Sequence, residues 1–303
     1  MPIRVKEGIT AVTKLREENI FAMTNERAVH QDIRELNIAV LNLMPDKEET
    51  EQQLLRLLSN SPLQIEVTFI RLVTHQYKNT PAPYLLKNYR PFYEIDRQYF
   101  DGLIITGAPV EKLGFEEVDY WGEFTSILEW ARLHVTSTLY LSWAAQAGLY
   151  YHYGVEKTDL AKKLSGIFEN KVVSRNNELV RGFDRVFYAP RSSYSGIDTA
   201  ALEKAAELEV IASSDEAGAY IISDGGSNIF VNGHPEYDID RLAYEYERDR
   251  EKGLSPDIPK NYFPDDDTSK APVSRWIAYS SLLFSNWLNY FVYQVTPYEF
   301  EAK

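Results

Sequence analysis

Apolar residues come in short runs, separated by stretches whose apolar positions repeat with helical spacing. Leu36-Asn-Ile-Ala-Val-Leu-Asn-Leu43 predicts a strand ending at Met44-Pro45. Residues 46–58 predict a helix with acidic residues in its first turn, where the helix dipole favours them. Ser59-Asn-Ser-Pro62 stops that helix and residues 63–73 alternate as a second strand, so residues 36–73 form one βαβ unit and imply a parallel sheet. Residues 101–109 read as a strand running into the small-residue loop Thr106-Gly-Ala-Pro109, followed by an amphipathic helix over 116–134 with Trp121, Phe124, Leu128 and Ala131 on one face. Residues 138–141 form another strand, and Ala144, Ala145, Ala147 and Leu149 favour a helix directly after it. This repeated β-loop-α-β order predicts an α/β fold with a doubly wound, mostly parallel sheet.

The remaining stretches carry weaker signals. Residues 1–35 read as an N-terminal arm with a short helix near 10–17, and residues 36–303 as a single α/β catalytic domain with insertions and a C-terminal helix. Residues 74–100, rich in Tyr and Pro, predict an irregular surface excursion. After a charged segment, 156–163, short strands are expected at 171–180 and 186–189 around the turn Arg181-Gly-Phe-Asp184, then a polar loop over 190–194. A helix at 199–207, a strand at 209–213 and a hairpin of 217–223 with 227–231 follow, then a charged helix over 239–252 and a long surface loop over 253–274. Residues 276–295 are interrupted by Ser280, Ser281, Ser285, Asn286 and Asn289, too polar for a membrane span, and predict a helix packed on the core.

Composition narrows the function. The 303 residues are 44% hydrophobic and 25% charged, as in a soluble globular protein. Forty-five acidic against 32 basic side chains give a net charge of −13, which argues against general nucleic-acid binding but leaves room for a small anion held by local Lys or Arg. There is no cysteine, which excludes disulfides and thiolate–metal sites. The first residues lack an apolar leader core, making the cytoplasm the default compartment.

Candidate chemistry centres on Ser142, at the joint between strand and helix. A turn made within about one residue there lifts a side chain above a parallel sheet and faces it towards a helix N-terminus, whose free N–H groups suit developing negative charge. Tyr140 and Ala144 stand where a Gly-x-Ser-x-Gly elbow has its glycines, so a plain βα connection with a solvated serine fits the same pattern. The loop 106–109 ends a neighbouring strand and belongs beside Ser142. In Asn232-Gly-His-Pro-Glu-Tyr237, Pro235 keeps the segment extended, so His234 and Glu236 share a side and the acid can orient the imidazole; a surface turn is the alternative. His30, His75, His134 and His152 lack such a partner and offer no H-x-x-x-H pair, so no metal is expected. Lys163, Arg191, Ser192 and Arg248 are candidates for an anionic substrate group; Glu245 and Arg248, three apart on a helix, fit a solvated ion pair equally well. Glu111, just past the small-residue loop, is either an ordinary helix acid or a pocket wall.

The strings Leu41-Asn-Leu-Met-Pro45, Leu55-Arg-Leu-Leu-Ser-Asn-Ser-Pro-Leu-Gln64, Ile105-Thr-Gly-Ala-Pro109, Lys163-Leu-Ser-Gly166 and Gly233-His-Pro-Glu-Tyr-Asp238 closely resemble the homoserine O-acyltransferase family of methionine biosynthesis, in order and over nearly the whole chain. The resemblance implies a class I glutamine-amidotransferase-like fold, a homodimer, no cofactor beyond the co-substrate acetyl-CoA, and acyl transfer to the hydroxyl of L-homoserine through an acyl-enzyme. It places the nucleophile at 142, the base on His234 and its acid on Glu236. Substrate contacts fall on Lys163, Ser192 and Arg248, with Glu245 as a weaker addition. Position 111 resembles a donor selector, Glu with acetyl-CoA and Gly with succinyl-CoA, which points here to acetyl transfer. The family has Cys where this chain has Ser142, which implies a nucleophile-substituted form of low activity. Succinyl transfer, glutamine amide hydrolysis and non-catalytic binding of homoserine or CoA esters are the competing expectations.

Overall fold

The computed structural model describes residues 3–5, 9–10, 13–14, 22–24 and 35–296. Most of the helix expected near 10–17 lies outside the described residues. One mixed sheet holds the described strands: β1 (Ile3–Val5), β2 (Ala22–Thr24), β3 (Leu36–Leu41), β4 (Ile65–Arg71), β5 (Arg90–Pro91), β6 (Phe100–Ile105), β7 (Val135–Leu141), β8 (Lys157–Val172), β9 (Val186–Ile197), β10 (Glu209–Ser214), β11 (Gly218–Ser223) and β12 (Asn228–Val231). Their order is β2-β1-β4-β3-β6-β7-β12-β11-β10-β8-β9, with β5 beside β4. From β2 to β12 every pairing is parallel, and from β12 to β9 every pairing is antiparallel.

The central parallel strands β3 and β6 are covered on both faces, which is why they read as apolar runs, whereas β4 alternates buried and half-buried positions. On one side Ile38 and Val40 of β3 pack with Leu54 and Leu58 of the helix Lys47–Ser59, and with Phe284 and Trp287 of the C-terminal helix. On the other, Ala39 of β3 and Ile105 of β6 pack with Phe124 and Leu128 of the helix Trp121–His134, and with Trp143 and Ala147 of the helix Trp143–Tyr153. The doubly wound architecture is thus present, and the C-terminal helix Ile277–Asn286, continued as a π-helical turn to Tyr293, sits on the core as expected.

Several local expectations are corrected. Residues 74–100 carry a helix, Ala82–Asn88, and the short strand β5. The strand expected over 171–180 is instead the end of β8 followed by turns, and the polar loop expected over 190–194 lies within β9. The charged segment before residue 164 likewise belongs to β8, because β8 and β9 pair along most of their length and that pairing overrides weak local propensity. The 253–274 segment is less superficial than a surface loop: Tyr262 and Phe263 are buried, and Gly166 forms a bridge to Lys260.

Candidate active site

Ser142 joins β7 to the helix Trp143–Tyr153 with φ 52 and ψ −117, a positive-φ conformation that a side chain bearing a Cβ adopts only under strain. Its N–H donates to Val231 O of β12 at 2.8 Å, and its own carbonyl accepts from Ala145 and Gln146, so the sheet and the helix hold the turn in place. The elbow forms without the usual flanking glycines. Gly107 explains how the opposite loop comes so close: a Cβ there would lie 3.1 Å from Ser142 Cβ, 3.5 Å from its Oγ and 3.1 Å from His234 Cε1. Backbone, hydroxyl and imidazole thus meet around one small space, as expected for the 106–109 loop.

His234 follows β12 through Asn232 and Gly233. Gly233 lets the chain pass under Pro190, whose carbonyl would lie 2.8 Å from a Cβ, and His234 N–H donates to that same carbonyl at 3.0 Å. The imidazole Nδ1 faces Glu236 Oε1 at 2.7 Å, with both side chains buried, so the acid holds the ring with Nε2 available for a substrate proton. Tyr237 stacks on the imidazole at 4.1 Å between ring centroids and 17° between planes. Arg191, a sequence candidate for anion binding, is engaged elsewhere. Its guanidinium donates to Asn232 O, Ser195 O and Ala217 O, bracing the segment that carries His234.

Beyond the elbow a cavity of about 280 Å³ is lined by Glu111, Ser142, Lys163, Ser192, His234, Glu245 and Arg248, so every one of these sequence candidates meets there; Glu236 stands behind His234. Lys163 lies where the β8–β9 register shifts, a bulge that redirects its side chain. Its ammonium donates to Glu245 Oε2 at 3.1 Å and to Asp249 Oδ2 at 2.9 Å. Glu245 also accepts from Ser192 Oγ and from the Tyr237 hydroxyl, and Arg241 lies 3.4 Å away. Burial acting alone would raise the Glu245 carboxyl, but Lys163 and Arg241 outweigh it and hold it at about 2. The expected Glu245–Arg248 pair is not the one formed: Arg248 pairs with Asp249, through Nε at 3.0 Å and an Nη at 2.8 Å.

Arg241, Tyr237 and Asp249 are not among the sequence candidates. Arg241 and Glu245 are four apart on the helix Arg241–Glu251, a spacing that could have revealed the pair. A second correction concerns His75, which does have an acid partner, Asp119, at 3.1 Å. Glu111 stands half-buried on the cavity wall, its carboxyl raised first by burial and pulled back in part by its own backbone, His234 and Lys163.

Lys163→Met leaves Glu245 and Asp249 buried without their shared cation. Breaking a buried pair typically costs about 3–5 kcal/mol, and with Arg241 and Arg248 still in place we expect about 2–3 kcal/mol less stability by urea unfolding. Glu245 contributes stability that is complete above its ordinary value of 4.5 and drains away as pH falls towards 2. Acid unfolding of Lys163→Met should therefore begin at higher pH than in the parent.

A strained strand–helix elbow, a His–Glu pair on the adjacent strand end and a small-residue loop between them define an α/β protein of the class I glutamine-amidotransferase-like fold. A glutamine amidotransferase from Thermotoga maritima superposes with a TM-score of 0.51 at 12% identity, covering 86% of this chain and 98% of that one, a likeness of fold alone. The family model described as homoserine O-succinyltransferase matches residues 2–298, and the chain belongs to that family. Among its relatives, the homoserine O-acetyltransferase of Lachnospira eligens is 54% identical over 99% of this chain and 97% of its own length. That of Clostridium acetobutylicum is 52% identical over 99% and 100%. Among the described residues no helix is long and apolar enough to cross a membrane.

Proposed function

We propose that the chain binds L-homoserine and acetyl-CoA and supports acetyl transfer to the homoserine γ-hydroxyl through an acyl-enzyme at position 142. The observation that carries this reading is the meeting of Ser142, His234–Glu236 and the Lys163–Glu245–Asp249–Arg248 cluster in one cavity. In the first half-reaction His234 takes the proton from the residue-142 nucleophile as it attacks the thioester carbonyl. The carbonyl oxygen becomes an oxyanion facing the Trp143 N–H, unbonded within its helix, and the Gly107 loop. Collapse expels the CoA thiolate, which takes up the proton held by His234. In the second half-reaction His234 removes the proton of the homoserine γ-hydroxyl, the alkoxide attacks the acyl-enzyme, and the nucleophile leaves with that proton restored. Arg248, half-exposed at the rim, faces the amino-acid carboxylate, and the Glu245 carboxylate, held ionised, suits the ammonium. Arg248→Ala is then expected to raise the homoserine KM about tenfold with little change in kcat, and an unchanged KM refutes the carboxylate role.

Serine at 142 makes this chain a weak nucleophile where the family resemblance has cysteine. The homodimer and cytoplasmic location expected from the resemblance belong to the same reading, and sedimentation at twice the chain mass tests the dimer.

Succinyl transfer is the second reading, favoured by the description of the matching family model. Against it, the Glu111 side chain shortens the cavity whatever its charge, and when ionised repels a second carboxylate. In the Ser142→Cys protein, competition between the two CoA esters should give mainly O-acetylhomoserine, and Glu111→Gly should shift product towards O-succinylhomoserine by about tenfold or more. Equal use of both esters by the parent contradicts the donor assignment.

A further inference from the structure

Among the described residues a second cavity, of about 220 Å³, adjoins the first, and Met44, Pro45, Pro109 and Val110 line both. The residues found only in the first cavity include the charged set Lys163, Glu245, Arg248 and Asp249. The second is built differently. Its walls are Leu43, Leu72, Tyr77 and Tyr120, with the amide side chains of Gln76 and Asn79 among them. His75 closes the aromatic side, held by Asp119 and set edge-on to Tyr77 and Tyr120 at 5.1 Å from each. Lys47 does not offer its charge to this space. Its ammonium donates to Asn42 O at 2.6 Å and Met44 O at 2.7 Å, fixing the turn that separates the two cavities. Lys78, by contrast, is exposed at the lining.

A thioester whose carbonyl reaches residue 142 must send everything beyond its sulfur away from the elbow. The charged side of the first cavity matches a small zwitterion and is a poor surface for a long, largely apolar arm. The donor arm alternates methylene and dimethyl segments with amides and ends in phosphates. Apolar walls interspersed with amide side chains suit the arm, and an exposed cation in a chain of net charge −13 suits the phosphate end.

Resting on the acyl-transfer reading, we propose that this second cavity binds the pantetheine arm of the CoA thioester, with Lys78 at the phosphate end. The shared wall at Pro109 and Val110 then passes the thioester to Ser142, next to the donor-facing Glu111.

Lys78→Glu and Gln76→Trp both alter exposed side chains. Calorimetry with CoA on the full chain should show the Kd rising about tenfold or more in each variant. Placed in the Ser142→Cys protein, the same changes should lower kcat/KM for acetyl-CoA by a similar factor. They should leave kcat/KM for S-acetyl-N-acetylcysteamine, which lacks most of the arm, within about twofold, and the homoserine KM unchanged. Unaltered CoA affinity in both variants overturns the proposal, as does equal loss with the short and long donors, or a parent chain that does not bind CoA. If CoA binds and the variants weaken it while Ser142→Cys transfers no acetyl group, the arm site stands and the transfer reading fails.

Discussion

Ser142→Cys is expected to raise homoserine-dependent CoA release from acetyl-CoA by about 100-fold or more, equivalent to about 2.7 kcal/mol of barrier. A thiol is partly ionised near neutral pH and is strongly nucleophilic, whereas a serine hydroxyl needs almost complete transfer of its proton to His234 as it attacks. The surroundings favour the anion further: residue 142 begins a helix whose N-terminal N–H groups face it, and an imidazole lies across the small gap left by Gly107. The turn itself should survive the exchange, because it is held by backbone bonds to Val231, Ala145 and Gln146 that do not involve the side-chain atom. CoA is best followed chromatographically, since the new thiol reacts with thiol reagents. An unchanged rate means either that serine is already competent or that residue 142 is not the nucleophile.

In the Ser142→Cys protein, Glu236→Gln should lower kcat by about 10²–10³-fold with a much smaller change in either KM. Glu236 is buried and accepts from His234 Nδ1, and among the described residues its other oxygen has no hydrogen-bond partner, so its charge is directed at the imidazole. Glutamine keeps the size but presents either a neutral oxygen or an N–H to Nδ1. It therefore weakens the stabilisation of the imidazolium formed in both half-reactions and loosens its tautomer. Gln146 and Arg191 continue to brace Asn232, so the melting temperature should move little. A loss of activity that tracks unfolding would instead assign Glu236 a structural role.

How far the fold is legible in the chain depends on the kind of strand. β3, β6 and β7 are buried on both faces or nearly so, and their apolar runs announce themselves, while β4 is read from its alternation. The helices between them carry a readable period, and the pairing of His234 with Glu236 is foreseeable from their proximity, but they meet in a turn closed by Tyr237 N–H to His234 O rather than along the extended segment expected from Pro235. β8 and β9 are hidden. Lys157–Val172 is largely polar and half-exposed, and it is a strand because β9 pairs with it, a long-range fact absent from local propensity. Ser192 therefore reads locally as a loop residue, and its bond to Glu245 has no local signal. Charges are harder still. Glu245 and Arg248 have the spacing of a surface pair three apart, but Lys163 and Arg241 claim Glu245, and Asp249 claims Arg248. The strain at Ser142 is legible only as an abrupt change from strand to helix; the positive φ that aims the hydroxyl is a property of the folded turn.

The most direct test is mass spectrometry of the Ser142→Cys protein incubated separately with acetyl-CoA and with succinyl-CoA, followed by peptide mapping. One acetyl group is expected on residue 142 after acetyl-CoA, discharged when L-homoserine is added, with little or no adduct after succinyl-CoA. An unmodified protein, an acetyl group at another residue, or an adduct that homoserine does not remove would contradict the acyl-enzyme at position 142.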